Sequence, residues 1–248
     1  MSSSTPHDTG ADGARMRAIL VLCGATAFSL APFVVPPFTG YADYDPLPAQ
    51  PAGYAFAIWG PIYLGLAGSA VFGLIARAED TRWDRTRWAL FASMIVGAGW
   101  LSAAIAAPVL SVVMIFVMLG GALLALWQAP GRDVAAFAVP VGLYAGWLTA
   151  ASFVALGTIA AGLTGLGAAL VSWGVLAGAT ALGLFVLARL PVPPWGYAAA
   201  LGWALIGVAV ALGGTGQTPL FVGTLAALGA LAVAVVARLY RDRRARAA

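Results

Sequence analysis

Thirteen arginines and no lysine occur in this chain, and no charged residue falls in the interior of any apolar run long enough to cross a bilayer. An ionised side chain at the bilayer centre costs about 3 kcal/mol or more, so this segregation is what a chain read by lipid must show. A soluble domain carries charge on roughly a quarter of its residues, whereas here 9% are charged and 62% hydrophobic, with a mean hydropathy of +0.93. The fold class is therefore all-α, a polytopic membrane helical bundle.

A crossing helix needs about 20 mostly apolar residues. Cutting at charge clusters and Gly/Pro breaks gives about eight spans, near 17–35, 53–76, 87–106, 109–128, 134–157, 166–188, 196–213 and 218–238. Alternating the segments between two sides puts Arg15 and Arg17, then Arg77, Arg82, Arg85 and Arg87, then Arg132, Arg189 and the tail Arg238 to Arg246 on one side. The other side receives none. The positive-inside rule makes the arginine side cytoplasmic, with both termini there, and one missed helix would scramble the division. The longest external segment, Pro36 to Gln50, holds Asp43, Asp45 and four prolines and reads as a stiff non-helical loop; short external turns fall near Ala107, Gly162 and Gly213 to Gln217.

Residues 1–14 are polar and read as a disordered cytoplasmic N-terminus. A cleaved signal peptide is the rival reading of the start, with Ser29-Leu30-Ala31 as the cleavage pattern. The apolar stretch runs on through Pro32 to Val35, which is long for a cleaved segment and favours a retained helix. Cys23, the single cysteine, reads as a small buried apolar side chain. The lack of Lys and Asn beside abundant Ala, Gly, Pro and Arg matches a GC-rich genome, and with it a bacterial inner membrane.

Missing residues narrow the chemistry. Coupled transporters hold ionisable groups inside the bilayer, and none is available here. A retinal Schiff base needs lysine, and imidazole-based haem or metal sites need more than His7. Ser/His and paired-Asp hydrolysis lack partners as well. The reading is a non-enzyme with no cofactor and no metal. Aromatic, hydroxyl and glycine residues remain in the membrane, the lining of a site for an apolar or planar ligand.

The second span opens Pro51-Ala52-Gly53-Tyr54-Ala55-Phe56-Ala57-Ile58-Trp59-Gly60-Pro61-Ile62-Tyr63. Helical spacing puts Phe56, Trp59, Tyr63 and Ala67 on one face, and Gly60-Pro61 interrupts the helix about two turns in. A later stretch reads Pro140-Val141-Gly142-Leu143-Tyr144-Ala145-Gly146-Trp147-Leu148-Thr149-Ala150-Ala151-Ser152-Phe153, and Trp100 stands on the third span. These segments resemble the TspO/translocator family, also called tryptophan-rich sensory proteins. The family's asparagines on the third and fifth helices are absent, and its paired prolines before the second helix are reduced to Pro48 and Pro51. The resemblance covers 15–157 and implies a five-helix core, with 158–238 as three additional helices and 239–248 as an Arg-rich tail. It also implies a binding, sensing or transporting protein for porphyrins or sterols.

At 1.5 Å per residue, Trp59 and Trp100 lie roughly 9 Å below the outer helix ends and Trp147 roughly 15 Å below, with Tyr144 a turn deeper. The candidate ligand site is Phe56, Trp59, Tyr63, Trp100, Tyr144, Trp147 and Ser152. Each tryptophan also has a plain packing reading, and the hydroxyls of Tyr63, Tyr144, Thr149 and Ser152 need either backbone carbonyls or a ligand. Trp83, Trp88, Trp127 and Trp195 read as an interfacial belt. No cation lies on the outer side, which disfavours a dianionic porphyrin arriving from outside and not a sterol or other neutral lipid. Gly142/Gly146 and Gly174/Gly178 are GxxxG pairs that serve intrachain packing or a homodimer seam. The loop Arg77 to Arg87 reads as a self-paired turn. The tail reads as an anchor on membrane lipids rather than a nucleic-acid site. Binding of a porphyrin, sterol or lipid-like molecule is the first reading, and an uncoupled small-molecule permease or exporter the alternative.

Overall fold

The computed structural model describes residues 6–36 and 40–247, and among them every regular element is helical. The elements are α1 (Pro6–Val34), a 3-10 turn (Gly53–Ile58), α2 (Trp59–Ala76), α3 (Thr81–Ala106), α4 (Pro108–Trp127), α5 (Ala138–Thr164), α6 (Ala168–Arg189), α7 (Trp195–Leu212) and α8 (Thr218–Ala247). All eight are long and apolar enough to cross a membrane. The protein is a multi-pass membrane protein.

Several boundaries differ from the sequence expectation for local reasons. Helix α1 starts at Pro6, so the helix covers residues 6–14, which the composition assigned to disorder; a proline at the first helical position costs no backbone hydrogen bond. Residues 1–5 lie outside the described ones. Helix α3 starts at Thr81 rather than 87, because Asp80 caps it by accepting from the Arg82 N–H at 2.9 Å. Helix α5 runs through Gly157 and Gly162 and stops at Gly165, the residue that takes the left-handed conformation (φ 68°). Gly60 and Pro61 do not break a helix midway. They sit in the first turn of α2, where proline's missing N–H costs nothing, and the irregularity is the 3-10 turn before them.

Helices α1 to α5 close a ring: α2 packs on α1, α1 on α3, α3 on α4, α4 on α5, and α5 back on α2. The other three sit outside it. Helix α7 lies along α5 and touches the 3-10 turn, α6 packs on α5, and α8 covers α6 and α7. Helix α5 thus serves both groups, and it is the most enclosed span, with 67% of its apolar window buried against 22–39% for α1 to α4, α6 and α8.

Helices α5 and α7 meet at backbone distance. A Cβ on Gly142 would lie 2.8 Å from the Tyr197 nitrogen, one on Gly146 would strike the Tyr197 carbonyl, and one on Gly196 would strike the Val139 carbonyl. Gly178 faces the ring of Phe153 in the same way. Gly142, Gly146 and Gly178 are therefore spent on packing within the chain, which removes them as a seam for a second copy.

One end of the bundle is ionic. Arg17 on α1 donates to Asp84 on α3 at 2.6 and 2.7 Å. Arg77 donates to Asp133 at 2.8 and 3.0 Å, and Arg132 pairs with Asp80. Arg87, almost wholly buried, gives its guanidinium to the carbonyls of Ala14, Arg77 and Ala78 and to Asp84. The segment 77–87 is thus paired with itself, through Arg87 and the Asp80 cap, and also with α1 and the α4–α5 connection. Trp83 is also corrected: it is buried, donates to Asp133 at 3.1 Å and packs on Phe72 and Phe137, whereas Trp88 and Trp195 are exposed as a belt requires. Cys23 is exposed on α1 rather than buried.

Candidate functional site

The external segment lies across the other end. Tyr41 pairs with Ser111 on α4 at 3.0 Å, the Ala49 N–H donates to Ser172 on α6 at 3.3 Å, and the Ala52 N–H donates to the Gly207 carbonyl on α7 at 3.0 Å. Leu47 is buried beside Val175. The prolines between these anchors limit the conformations of the loop, which closes the end of the five-helix ring without filling it.

Beneath it lies a cavity of about 490 Å³ walled by every helix of the ring. Phe28 comes from α1, Phe56 from the 3-10 turn, Trp59 and Tyr63 from α2, Trp100 from α3, Met118 from α4 and Trp147 from α5. A side lobe of about 330 Å³ shares Phe56, Trp100, Ile115 and Trp147, and continues between Tyr41 and Tyr44 of the loop and Val154, Ala155 and Thr158 of α5. Neither wall contains an acidic or basic side chain.

The aromatic rings are set against one another. Trp59 stacks on Tyr63 at 5.3 Å between centroids, and Trp147 meets Phe56 and Trp59 edge-on at 5.4 and 6.3 Å. Phe28 stands edge-on to Trp59 and Tyr63 at 5.8 and 5.1 Å. Such offset and edge contacts satisfy the ring quadrupoles and add about 1 kcal/mol each beyond burial.

Of the seven residues singled out from sequence, Phe56, Trp59, Tyr63, Trp100 and Trp147 line the cavity. Tyr144 and Ser152 do not. Tyr144 is fully buried under Phe28, with its hydroxyl 3.0 Å from Ser93, and Ser152 donates to the Ile115 carbonyl at 3.4 Å. Thr149 likewise bonds the Ala145 carbonyl and Tyr197. These hydroxyls took the packing alternative because each sits on a helix face turned to a neighbouring helix. Trp147 lies seventeen residues before the end of α5, roughly 26 Å along the helix rather than 15 Å, since α5 continues past Gly157.

Sequence reasoning missed Phe28, Tyr41, Tyr44 and Gln50 as lining residues. The two loop tyrosines carried a signal: large aromatics between prolines in an otherwise polar loop need a surface to cover. Gly162 provides part of it, since a Cβ there would strike the Tyr44 ring. Helix α7 contributes without lining the cavity. Trp203 donates to the Ala55 carbonyl at 2.8 Å and meets Tyr54 edge-on at 5.6 Å, which fixes the 3-10 turn carrying Phe56.

Polar groups in the wall divide into paired and unpaired. The Trp100 indole donates to the Ser111 carbonyl at 3.0 Å. The Trp147 indole N–H, in a side chain only 2% exposed, has no hydrogen-bond partner. Burying a donor without a partner costs about 1–3 kcal/mol. Among the described residues no cluster of potential metal ligands occurs.

A family model described as TSPO-like protein matches residues 18–239, a stretch that includes all of α2 to α7, most of α1 and α8, and every residue of the cavity wall. The match does not stop at residue 157, so the three helices outside the ring belong to the matched region rather than extending beyond it. No curated protein and no solved structure matches the chain.

Proposed function

Because the chain belongs to the TSPO-like family, we propose that it is a non-enzymatic binding or sensory protein that holds a hydrophobic, flat ligand of tetrapyrrole or sterol type. The ligand sits inside the five-helix ring among Phe56, Trp59, Tyr63, Trp100 and Trp147. The observation that carries this reading is the cavity of about 490 Å³ walled by those five rings and free of charge. Cavities of roughly 300–1,000 Å³ with apolar aromatic walls are the usual form of small-molecule sites. Among the described residues the wall offers no counter-ion for a charged substrate and no carboxylate or imidazole for acid–base chemistry.

The arginine-bearing end faces the cytoplasm of a bacterial inner membrane, and the loop over the cavity faces outward. A reporter fused after Ala248 then reads cytoplasmic; a periplasmic signal contradicts this orientation.

A permease is the second reading, favoured by the side lobe that leads from the cavity to the loop. Purified protein in liposomes separates the two. Saturable binding of protoporphyrin or cholesterol without flux of the bound compound supports the receptor, and protein-dependent flux supports the permease. Absence of saturable binding by any flat hydrophobic compound overturns both.

A further inference from the structure

Three aromatic residues that line the cavity carry hydrogen-bond donors without a partner among the described residues, and their rings are neighbours. The Trp147 N–H, in a side chain 98% buried at the edge of the wall, is one of them. Among the described residues the Trp59 N–H and the Tyr63 hydroxyl, which line the same cavity, also bond no protein group, whereas the hydroxyls of Tyr144, Thr149 and Ser152 behind the wall are all paired. Trp59 stacks on Tyr63 at 5.3 Å and meets Trp147 edge-on at 6.3 Å between centroids, so the three rings that carry these donors form one contiguous patch. An indole N–H only donates, and it is satisfied only by an acceptor.

This patch constrains the ligand beyond being flat and apolar. Ring N–H groups of a free tetrapyrrole are themselves donors, and its carboxylates would find no cation in either lobe. A sterol offers one hydroxyl for three donors. Carbonyl oxygens accept two hydrogen bonds each, carry no charge, and on a flat ring allow stacking against the indoles. The side lobe, walled mostly by apolar side chains such as Ile115, Ala150, Ala151, Val154 and Ala155, with Tyr41, Tyr44 and Thr158 at its edge, shares Trp147 with the same patch. It suits a flexible hydrocarbon chain.

We propose that the occupant is a neutral lipid with carbonyl oxygens on a flat head and an apolar tail, the chemistry of an isoprenoid quinone. Its head accepts hydrogen bonds from Trp59, Tyr63 and Trp147, and its tail occupies the side lobe. This rests on the reading above that the cavity binds a flat hydrophobic molecule, and puts a quinone-type head in place of the tetrapyrrole or sterol.

The test is calorimetric titration of the purified full chain in detergent with decylubiquinone. Three further probes accompany it: decylbenzene, which keeps a ring and tail but lacks both carbonyls, protoporphyrin and cholesterol. The quinone is expected to bind at least tenfold more tightly than decylbenzene. Trp147→Phe, which keeps an aromatic ring, though one smaller than indole, and removes the N–H, is expected to weaken the quinone about five- to tenfold more than it weakens decylbenzene, the worth of one neutral hydrogen bond. Tyr63→Phe is expected to act in the same direction and decides the matter if Trp147→Phe does not fold. Equal affinity for quinone and decylbenzene, or Phe variants that bind quinone like the parent, overturns the proposal while leaving the site intact. Saturable binding of protoporphyrin or cholesterol with none of the quinone does the same. Failure of all four probes to saturate overturns the binding reading itself.

Discussion

Trp147 and Tyr144 are one turn apart on α5, equally buried, and serve different ends. Tyr144 closes a packed corner: its hydroxyl meets Ser93, which in turn donates to the Met118 carbonyl at 2.6 Å. Trp147 forms cavity wall and leaves its N–H unused. Tyr144→Phe should cost about 1 kcal/mol of stability in thermal unfolding and change ligand affinity less than twofold. A large loss of affinity would put Tyr144 in the site after all. Spacing alone made these two residues look alike, since a helix places i and i+3 near each other. Their separation depends on which neighbour each faces, Phe28 and Ser93 for Tyr144 and Phe56 and Trp59 for Trp147, and no local pattern records that. Trp59 and Tyr63 were legible because one face of α2 carries them, one turn apart, and Phe56 precedes them on the 3-10 turn.

Among the elements, the α5–α7 seam holds the site from behind. Gly196 and Gly146 bring the two backbones together, and α7 then reaches the 3-10 turn through Trp203 and Gly207. Gly196→Ala sets a Cβ against the Val139 carbonyl, which neither backbone can yield cheaply. We expect a loss of roughly 2 kcal/mol or more in stability, together with weaker ligand binding as Phe56 loses its support. Gly174→Ala, with open space at that point, is the matched control and should leave both unchanged. Equal behaviour of the two variants would mean that the seam is loose. The eight helices were readable from charge and length. The extent of α5 was not, because glycine inside a helix and glycine ending one look the same until the packing partner is known. Gly157 and Gly162 make room for Leu47 and Tyr44, and only Gly165 turns the chain.

For the whole molecule, charge is the organising variable. The ionic end ties α1, α3 and the connection between α4 and α5 together, while the opposite end holds an uncharged cavity under a proline-rich loop. Asp133 is the hub in the α4–α5 connection, with a backbone φ of 60° that Asp tolerates better than most residues. The Arg77 guanidinium beside it, helped by the Trp83 N–H, holds its carboxyl below the ordinary range. A depressed carboxyl stabilises the fold above its ordinary value and loses that contribution as pH falls through the depressed one. Thermal midpoints measured between about pH 6 and pH 3 should therefore fall, and Asp133→Asn should flatten that decline while lowering the plateau. An unchanged acid limb in the variant would show that Asp133 does not link the connection to α2 and α3.

The central claim is that the aromatic cavity, and not the tryptophan-rich surface, holds the ligand. It is tested most directly by titrating the parent protein, Trp147→Ala and Trp195→Ala with whichever flat hydrophobic compound binds the parent saturably. Trp195 is 47% exposed at the ionic end and Trp147 is 2% exposed in the cavity wall. Loss of binding by tenfold or more in Trp147→Ala, with Trp195→Ala within twofold of the parent, is the expected result. Equal losses in the two variants would contradict it.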